Sequence, residues 1–379
     1  MSGLLPAFQL ALRLLTHEHR RLVACVGGIS FALILMLLQV GFRSALLDSA
    51  VELIRQLDAD IVVMDKEKSP FLRRNPMPRE RLYQALSVPG VAESIPVWVA
   101  LLSWRNHESN TFHPIRVIGT DPDRPSFLME GFEENRESLK APDQALVDSQ
   151  SRSTYGDLDP DPAQIGLRQV EIAGQIELGT DFEAGGSMLV SEETFFRLTG
   201  ASSNRVEMAL VKLEPGANPD DVALALQQSL PSDVISLTKQ ALLEKDLAHW
   251  ETGTPISVIL LVGVALGMLV GVIICYQVLY TEVLDHLPEF ATLKAMGYSN
   301  RFIEGVVISE AVILSLLAVI PAVIFSSAML AILGWMSGLS TGLDLNQIIQ
   351  ISLFSLGMCC FSAILALGKI RRLDPAELF

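Results

Sequence analysis

The chain has few charged side chains, which make up 19% of its 379 residues, while apolar residues make up 50%. A soluble globular chain carries about 25% charged residues. The shortage is concentrated in long uncharged stretches near both ends, a pattern typical of a protein embedded in a membrane. It argues against a large soluble core as the source of the apolar content.

In the middle of the chain basic residues are outnumbered by acidic ones, and cysteine is missing. Between Arg43 and Glu251, 20 lysines and arginines stand against 34 aspartates and glutamates, so most of the net charge of −15 lies there. Such a surface repels phosphate backbones, which excludes nucleic-acid binding. This stretch has no cysteine and therefore no disulfide framework. The four cysteines lie in apolar runs and are interpreted as packing residues: Cys25, Cys275, Cys359 and Cys360.

Sequence motifs that bind nucleotides or metals are also missing. No GxxxxGK[ST] loop, HExxH or CxxC occurs, and no Ser/His/Asp arrangement stands out. His107 and His113 have no cysteine nearby. Asp157–Asp161 has the spacing that opens a calcium loop, but Pro162 and Arg168 replace its glycine and glutamate. We therefore expect no enzyme activity, metal or cofactor on this chain.

Four apolar runs are long enough to cross a membrane, since about 20 helical residues span a hydrocarbon core of about 30 Å. They cover residues 22–42, 256–280, 305–333 and 348–367. Pro321 should kink the third span. The first run is too long for a cleaved signal peptide. The tetrapeptide 22–25 begins that run, whereas a lipoprotein processing box should end it.

Lysines and arginines near the span ends predict the orientation. The loop 335–346 between the third and fourth spans has none. Both termini and the loop after the second span are thus predicted to be cytoplasmic, and the acidic segment to lie outside. The basic residues that support this topology are Arg13, Arg20, Arg21, Lys294, Arg301, Lys369, Arg371 and Arg372.

The predicted fold class is a membrane protein of four transmembrane α-helices, with a large α/β extracytoplasmic domain inserted between helices 1 and 2 on a helical stalk. The segments are an amphipathic N-terminal helix (1–21), span one (22–42), a stalk helix (43–58), the α/β domain (59–237), a second stalk helix (238–255), span two (256–280), a coupling loop (281–304), span three (305–333), a short outer loop (334–347), span four (348–367) and a cytoplasmic tail (368–379).

Helical periodicity on both sides of the inserted domain suggests the stalk. Each flanking segment has one apolar stripe, and the two stripes could bury each other. The alternative is that they form two separate surface helices of the domain. The stripe residues are Leu47, Val51 and Ile54 in the first segment and Leu243, Leu247 and Trp250 in the second.

The inserted domain shows a mixed α/β pattern. Ser191 and Asn218 are predicted to cap two helices, with Pro219 at the first position of the second helix and Gly200 past the end of the first. The polar segment 130–162 is interpreted as an insertion or loop. Predicted strands are Ile61–Met64, Val97–Trp104, Ile115–Gly119, Val170–Ile176, Val206–Leu213 and Val234–Leu237.

Two features inside the spans are informative. Gly263, Gly267 and Gly271 form a double GxxxG, which lets another helix approach closely, either within one subunit or between subunits. Glu310 is the one ionisable residue inside a run. It could snorkel or cap near the cytoplasmic end, or it could pair within the bundle or contact a partner.

The loop after the second span contains a short amphipathic helix. Its apolar residues Leu287, Phe290, Leu293 and Met296 recur at three-residue steps, and Gly297 is a natural stop. The chain offers no second cytoplasmic domain to cover this stripe, so it should lie on the membrane or dock into a partner protein. The N-terminal helix has a similar stripe of Phe8, Leu12 and Leu15, for which the membrane surface is favoured.

Three passages resemble permeases of the MacB/FtsX superfamily of ABC transporters. Residues 287–297 are similar to the family's E-x-x-x-L-K/R-A-x-G loop, 308–310 open the third span in the same way, and 371–379 match its terminal D-P-A-E. Sparse matches in the outer domain at 88–92 and 155–156 fit the DevC-type subgroup. The loop positions carried over are Glu289, Leu293, Lys294, Ala295 and Gly297.

The resemblance implies a bacterial inner-membrane permease of the mechanotransmission type (type VII). Two copies would pair with two copies of a separate cytoplasmic ATPase that holds ATP and Mg²⁺ and grips the loop helix and the N-terminal region. In DevC-type systems the partners include a periplasmic adaptor (membrane-fusion) protein and a TolC-like outer-membrane channel, and the cargo is glycolipid. MacB-type proteins carry their ATPase on the same chain, and this sequence does not.

Three functions remain open from the sequence. The first is an exporter permease for a lipid, glycolipid or other hydrophobic cargo. The second is an FtsX-like regulator that activates a periplasmic cell-wall hydrolase without transport. The third, a membrane sensor, is disfavoured because no cytoplasmic signalling domain is present. The size of the outer domain and its paired stalk segments favour the exporter.

Overall fold

The computed structural model describes residues 4–17, 19–160, 162–181, 184–253, 255–339 and 341–370. The chain forms two compact units. The first, called the bundle, contains Met1–Ser44, Val258–Leu333 and Thr341–Phe379, and the second, called the inserted domain, contains Ala45–Ser257 and Gly334–Ser340.

The helices of the described residues fall in both units. In chain order they are α1 (Leu4–His17), α2 (His19–Arg55), α3 (Glu80–Leu86), α4 (Phe132–Asn135), α5 (Glu192–Thr199), α6 (Pro219–Ser229), α7 (Lys239–Thr252), α8 (Pro255–Asp285), α9 (Leu287–Ala295), α10 (Asn300–Ser337) and α11 (Leu345–Ile370).

The strands found in the described part of the chain belong to the inserted domain. They are β1 (Ile61–Asp65), β2 (Met77–Pro78), β3 (Val91–Asn106), β4 (Thr111–Thr120), β5 (Gln144–Asp148), β6 (Ala163–Ile165), β7 (Arg168–Ile176), β8 (Ser187–Ser191), β9 (Arg205–Val206), β10 (Met208–Leu213) and β11 (Val234–Thr238).

Among the described residues, four helices are long and apolar enough to cross a membrane. They correspond to α2, α8, α10 and α11, and their most apolar 18-residue windows have a mean hydropathy of 2.1 to 2.5. α10 continues through Pro321 and has 38 residues, which is about 57 Å of helix. It is therefore considerably longer than a hydrocarbon core of about 30 Å requires.

The glycines of the second span pack within the subunit. A Cβ on Gly267 would lie 2.9 Å from Gln39 Oε1, and one on Gly271 would lie 3.0 Å from Met36 Cε and 3.2 Å from Met358 Sδ. Gly263 also faces Gln39. Since these neighbours belong to α2 and α11, the small-residue face allows close contacts between helices of one chain.

α1 packs on the bundle through a different stripe from the one predicted. Ala7, Ala11 and Leu15 are buried, whereas Phe8 and Leu12 are 44% and 45% exposed. A Cβ on Gly305 of α10 would lie 3.6 Å from Ala7 Cβ. Of the predicted stripe, Phe8 and Leu12 stay exposed and Leu15 packs inward, because small alanines allow a closer helix contact than large side chains do. The location of the exposed stripe on the membrane surface stays a prediction.

The inserted domain is built around a nine-stranded sheet in the order β11-β1-β10-β3-β4-β8-β5-β7-β6. β6 also pairs with β3 through Trp104 and Ile165. Six strands, in the sheet order β3, β4, β8, β5, β7 and β6, therefore close into a small barrel. β3 is 16 residues long and joins the two parts. Its first half pairs with β10, and its second half, from Trp98 onward, pairs with β4.

Local signals in the sequence placed several elements of this domain correctly. The side chain of Ser191 caps α5 by accepting a hydrogen bond from the amide of Thr194, and Gly200 ends α5 in the left-handed region. Asn218 caps α6, with Pro219 in its first turn. The strand predicted at Ile61–Met64 is observed as β1, and it is buried on both faces.

The interpretation of segment 130–162 as a loop was wrong in one important respect. The segment contains β5, whose residues Ala145, Leu146 and Val147 are fully buried between β8 and β7. β8 itself was also not predicted. Three apolar residues between polar flanks are too few to show strand periodicity, so only the tertiary pairing reveals this strand.

The helices that flank the inserted domain bury their apolar residues in one cluster under the sheet. Val51 and Ile54 of α2 and Leu242 of α7 belong to a core that includes Val97 and Met208. Leu243 and Leu247 pack against the same core, while Leu47 and Trp250 are half-buried. α2 passes from the span into this domain without interruption, whereas α7 ends at Thr252 and α8 starts at Pro255.

Candidate functional site

The loop between the second and third spans is organised around the helix α9. Pro288 occupies its first turn, and Gly297 ends it with a φ of +91°. The amide of Tyr298 donates to the carbonyl of Leu293 at 3.1 Å, and that of Gly297 donates to the carbonyl of Lys294 at 3.1 Å. These bonds satisfy carbonyls at the helix end, and glycine is favoured at the left-handed position. The predicted stop at Gly297 is confirmed.

The apolar stripe predicted for this helix is largely covered by the chain itself. Phe290 is 2% exposed and Ala291 is 7% exposed, and Phe290 belongs to the core of the bundle. Leu287 and Leu293 are half-buried, and Leu293 packs against that core. The expectation that the chain has nothing to cover this stripe was therefore wrong, because α9 folds back onto its own helices.

The exposed side of α9 combines acidic and apolar groups. Met296 is 63% exposed and Tyr298 is 47% exposed, and the side chain of Glu289 is 52% exposed. Ala295 and Gly297 are also exposed, whereas Lys294 is half-buried. The surface available to another protein is thus the segment from Ala295 to Tyr298 together with Glu289. We call this set of residues the loop surface.

A cluster of ionisable side chains lies directly beneath this loop. Arg21 of α2 contacts Glu282 through Nε and Oε2 at 2.9 Å, and Asp285 through Nη2 and Oδ2 at 2.8 Å. The Cys25 thiol also donates to Glu282 Oε2 at 3.4 Å. Glu282 is 3% exposed, so these contacts replace the water that its carboxylate loses.

His286 connects this cluster to α9. Its Nε2 lies 3.3 Å from Glu282 Oε1, one helical turn earlier, and its Nδ1 lies 3.7 Å from Glu289 Oε2. The hydrogen bond to Glu282 raises the pKa of the His286 imidazole, although partial burial opposes this. His286 is 5% exposed and immediately precedes Leu287, the first residue of α9.

Glu310 of α10 is buried beside the same cluster without a hydrogen bond. It is 1% exposed, and neither carboxyl oxygen has a hydrogen-bond partner among the described residues. It interacts electrostatically with Glu282 and His286. Of the predicted alternatives, snorkelling to water does not fit this burial. A buried carboxyl without a hydrogen bond costs about 1–3 kcal/mol or more.

The sequence predicts separate roles for three members of this cluster: Arg21 supports the topology, Glu310 is a lone charge in a span, and Cys25 is a packing residue. It does not predict that they meet, and His286 is not among the predicted site residues. Its signal was available, since Glu282 and His286 are four residues apart on one helical turn.

These features define a multi-pass membrane protein with an inserted α/β domain and no nucleotide-binding motif. Two family models match the chain: the MacB-like periplasmic core domain over residues 22–229 and the FtsX-like permease C-terminal region over residues 261–375. The first covers more than half of the chain. The protein belongs to the MacB/FtsX superfamily of ABC transporter permeases.

Relatives align over nearly the whole chain. The uncharacterized ABC transporter permease Rv0072 of Mycobacterium tuberculosis is 23% identical over 97% of this chain and 98% of its own length. The uncharacterized ABC transporter permease Mb2592 of Mycobacterium bovis is 24% identical over 97% of this chain and 98% of its own length. Among solved structures, the periplasmic region of MacB from Actinobacillus actinomycetemcomitans shares 9% identity with a TM-score of 0.35, over 49% of this chain and 92% of that one.

Family membership fixes several properties. The inserted domain is extracytoplasmic and MacB-like, and the protein is a multi-pass protein of the inner membrane. An ABC permease implies an ATPase partner. The family's terminal motif at 371–379 lies outside the described residues.

Proposed function

We propose that this chain is the permease subunit of an ABC exporter that couples ATP hydrolysis on a separate ATPase to movement of its extracytoplasmic domain. The observation that carries the proposal is the loop surface. It combines an exposed Met296, Tyr298 and Glu289 with a helix whose opposite side is anchored in the bundle through Phe290. An exposed apolar patch on an anchored helix suits a protein contact that must transmit force.

The proposed orientation places both termini and the loop surface in the cytoplasm. It rests on the basic residues near the span ends and agrees with an extracytoplasmic inserted domain. A reporter enzyme fused after Ser299 should be active only inside the cell, and one fused after Gly338 only outside. The reverse pattern would place the loop surface out of reach of a cytoplasmic ATPase and contradict the proposal.

The cargo is proposed to be a lipid, a glycolipid or another hydrophobic molecule, moved in a DevC-like tripartite assembly. Two copies of the permease would work with a periplasmic adaptor and a TolC-like outer-membrane channel. This part is supported by the resemblance of the loop and of the outer domain to DevC-type permeases. Proteoliposomes with the complete complex test it, because an exporter moves lipid from the membrane and an FtsX-like regulator does not.

Docking to the ATPase is tested most directly at Met296. Met296→Asp places a charge on the loop surface without disturbing the core, because that side chain is 63% exposed. Copurification of the ATPase should fall at least tenfold, since burying an unpaired carboxylate at an interface is costly. Leu224→Asp is the matched control, as Leu224 is 62% exposed on α6.

Leu293 is a poorer probe than the sequence indicated. It packs against the bundle core, so Leu293→Asp would alter the fold of the loop together with any docking.

If Met296→Asp keeps full ATPase copurification while remaining folded in the membrane, the loop surface is not the docking site.

A further inference from the structure

The end of α10 at Ser337 is bound into the extracytoplasmic domain. Residues Gly334–Ser340 belong to that domain, while the rest of α10 belongs to the bundle. The helix ends where the amide of Gly338 donates to the carbonyl of Gly334 at 2.8 Å, and Gly338 has a φ of +73°. The last carbonyls of a helix lack partners within the helix and must find them elsewhere.

Two side chains of the extracytoplasmic domain bind one of these carbonyls. Arg152 Nε donates to the carbonyl oxygen of Ser337 at 3.1 Å, and Thr180 Oγ1 donates to the same oxygen at 3.3 Å. Arg152 Nη2 also donates to the carbonyl of Asp181 at 3.2 Å. A guanidinium at a helix C-terminus also interacts favourably with the helix dipole.

The loops that carry Arg152 and Thr180 are held by Asp148. This residue is fully buried, and its carboxylate accepts hydrogen bonds from the amides of Gln150 at 3.1 Å, Leu178 at 3.1 Å and Gly179 at 3.0 Å. Burial raises the pKa of the Asp148 carboxyl, and the three amides oppose that rise. The two donors are therefore placed on a prearranged support.

The contact closes tightly over Gly338. A Cβ at this position would lie 3.0 Å from Thr180 Cγ2, 3.1 Å from Thr180 Oγ1 and 3.3 Å from the carbonyl oxygen of Gln150. A side chain at this position is thus disfavoured by the tight contacts as well as by the positive φ. The fit extends the contact from one hydrogen-bonded carbonyl to the whole turn after the helix.

We infer that Arg152 and Thr180 are positioning residues that clamp the end of α10 to the extracytoplasmic domain. α10 begins at Asn300, three residues after Gly297, and runs without interruption to Ser337. One continuous helix therefore links the loop surface with the clamp, in addition to the connections through α2 and through α7 and α8. The role of the clamp in coupling rests on the proposed function, but its existence does not.

Hydrogen exchange on the full-length protein in nanodiscs tests the clamp itself. Arg152→Ala should increase amide exchange in residues 334–339 by about tenfold, which corresponds to loss of a charge-assisted hydrogen bond. Thr180→Val should increase it by about threefold, and Arg152→Lys should recover part of the protection. Arg168→Ala, at an exposed arginine of β7, is the control. Unchanged exchange in Arg152→Ala would overturn the clamp.

Coupling is tested by releasing the clamp. With the ATPase bound, ATP should change the distance between spin labels at Leu224→Cys and Ile349→Cys, two exposed positions. Arg152→Ala should reduce this change at least threefold, whereas Arg152→Lys should restore part of it and the control Arg168→Ala should leave it unchanged. A full distance change in Arg152→Ala would overturn the role of the clamp in coupling. If the wild-type chain binds no ATPase, the proposed function fails, and hydrogen exchange still decides the clamp.

Discussion

Two buried charge clusters in this molecule are satisfied to very different degrees. In the extracytoplasmic domain, Glu207 Oε2 accepts from Lys68 Nζ at 2.9 Å and from the amide of Asn75 at 3.1 Å, and Oε1 lies 3.5 Å from Arg74 Nε. In the bundle, Glu282 is similarly well contacted, but Glu310 has no hydrogen bond to either oxygen among the described residues.

The difference in hydrogen bonding distinguishes an ion pair that stabilises the fold from a buried carboxyl that does not. The ion pair of Lys68 and Glu207 joins the segment between β1 and β2 to the start of β10. Both side chains are buried. Burial lowers the pKa of the Lys68 ammonium, and Glu207 offsets part of this effect. Glu310 contributes no such tie. A group that costs stability without a compensating bond is characteristic of functional positions.

The largest effect is expected from breaking the satisfied cluster. Lys68→Met leaves the Glu207 carboxylate buried without its cation, which should destabilise the extracytoplasmic domain by about 3–5 kcal/mol. Urea unfolding of the full-length protein in detergent, followed by tryptophan fluorescence, measures this. Arg74→Ala is the control, and because Arg74 is 55% exposed its effect should stay below about 1 kcal/mol. A loss under 1 kcal/mol for Lys68→Met would mean that the pair is not a structural tie.

Replacing Glu310, which has no hydrogen bond among the described residues, should stabilise the protein instead of destabilising it. Glu310→Leu removes a buried carboxyl that has no hydrogen bond and fills similar space, so the bundle should gain about 1–3 kcal/mol. The midpoint of thermal unfolding in detergent should rise, whereas exposed Glu289→Gln should change it little. The same variant should lose ATP-driven movement of the extracytoplasmic domain if the carboxyl serves coupling. A lower midpoint would show that Glu310 is a paired structural residue after all.

The smallest effect concerns pH. The hydrogen bond to Glu282 raises the pKa of His286 in the folded protein. Protonated His286 therefore stabilises the fold fully below its pKa in the unfolded chain, about 6.5. This stabilisation is lost as the pH rises through the higher pKa that His286 has in the folded protein. Charged groups facing it are Arg21, Glu282, Glu289 and Glu310.

His286→Gln should therefore be less stable than the wild-type protein by about 1 kcal/mol near pH 6, and the gap should narrow toward alkaline pH. Glu282→Gln should flatten the same pH profile by removing the partner. Thermal unfolding across this range in detergent gives the measurement. A gap between wild-type and His286→Gln that stays constant with pH would exclude titration of this imidazole as its cause.

The sequence predicts where several helices of this protein begin and end better than it predicts which side of a helix is buried. Caps and stops depend on neighbouring residues alone, which explains the success at Ser191, Asn218 and Gly297. The side of α9 that is buried depends on which part of the chain packs against it. The sequence therefore predicts Phe290 on the membrane or on a partner protein, whereas it lies in the bundle core. The clamp joins Arg152 to Ser337, which are 185 residues apart, so no local pattern in the sequence can reveal it. The pairing of His286 with Glu282 is local and could be predicted from their spacing of four residues.

The long strand β3 determines how the extracytoplasmic domain can respond to force. Its residues Val91–Val97 pair with β10, and Trp98–Asn106 pair with β4, so one continuous strand runs through both the open sheet and the barrel. No residue of β3 pairs with both β10 and β4, so the two ladders meet at the peptide bond between Val97 and Trp98. Bending at this bond would leave both ladders intact, which makes it the position in β3 where the open sheet and the barrel can change their relative angle at the lowest cost in hydrogen bonds.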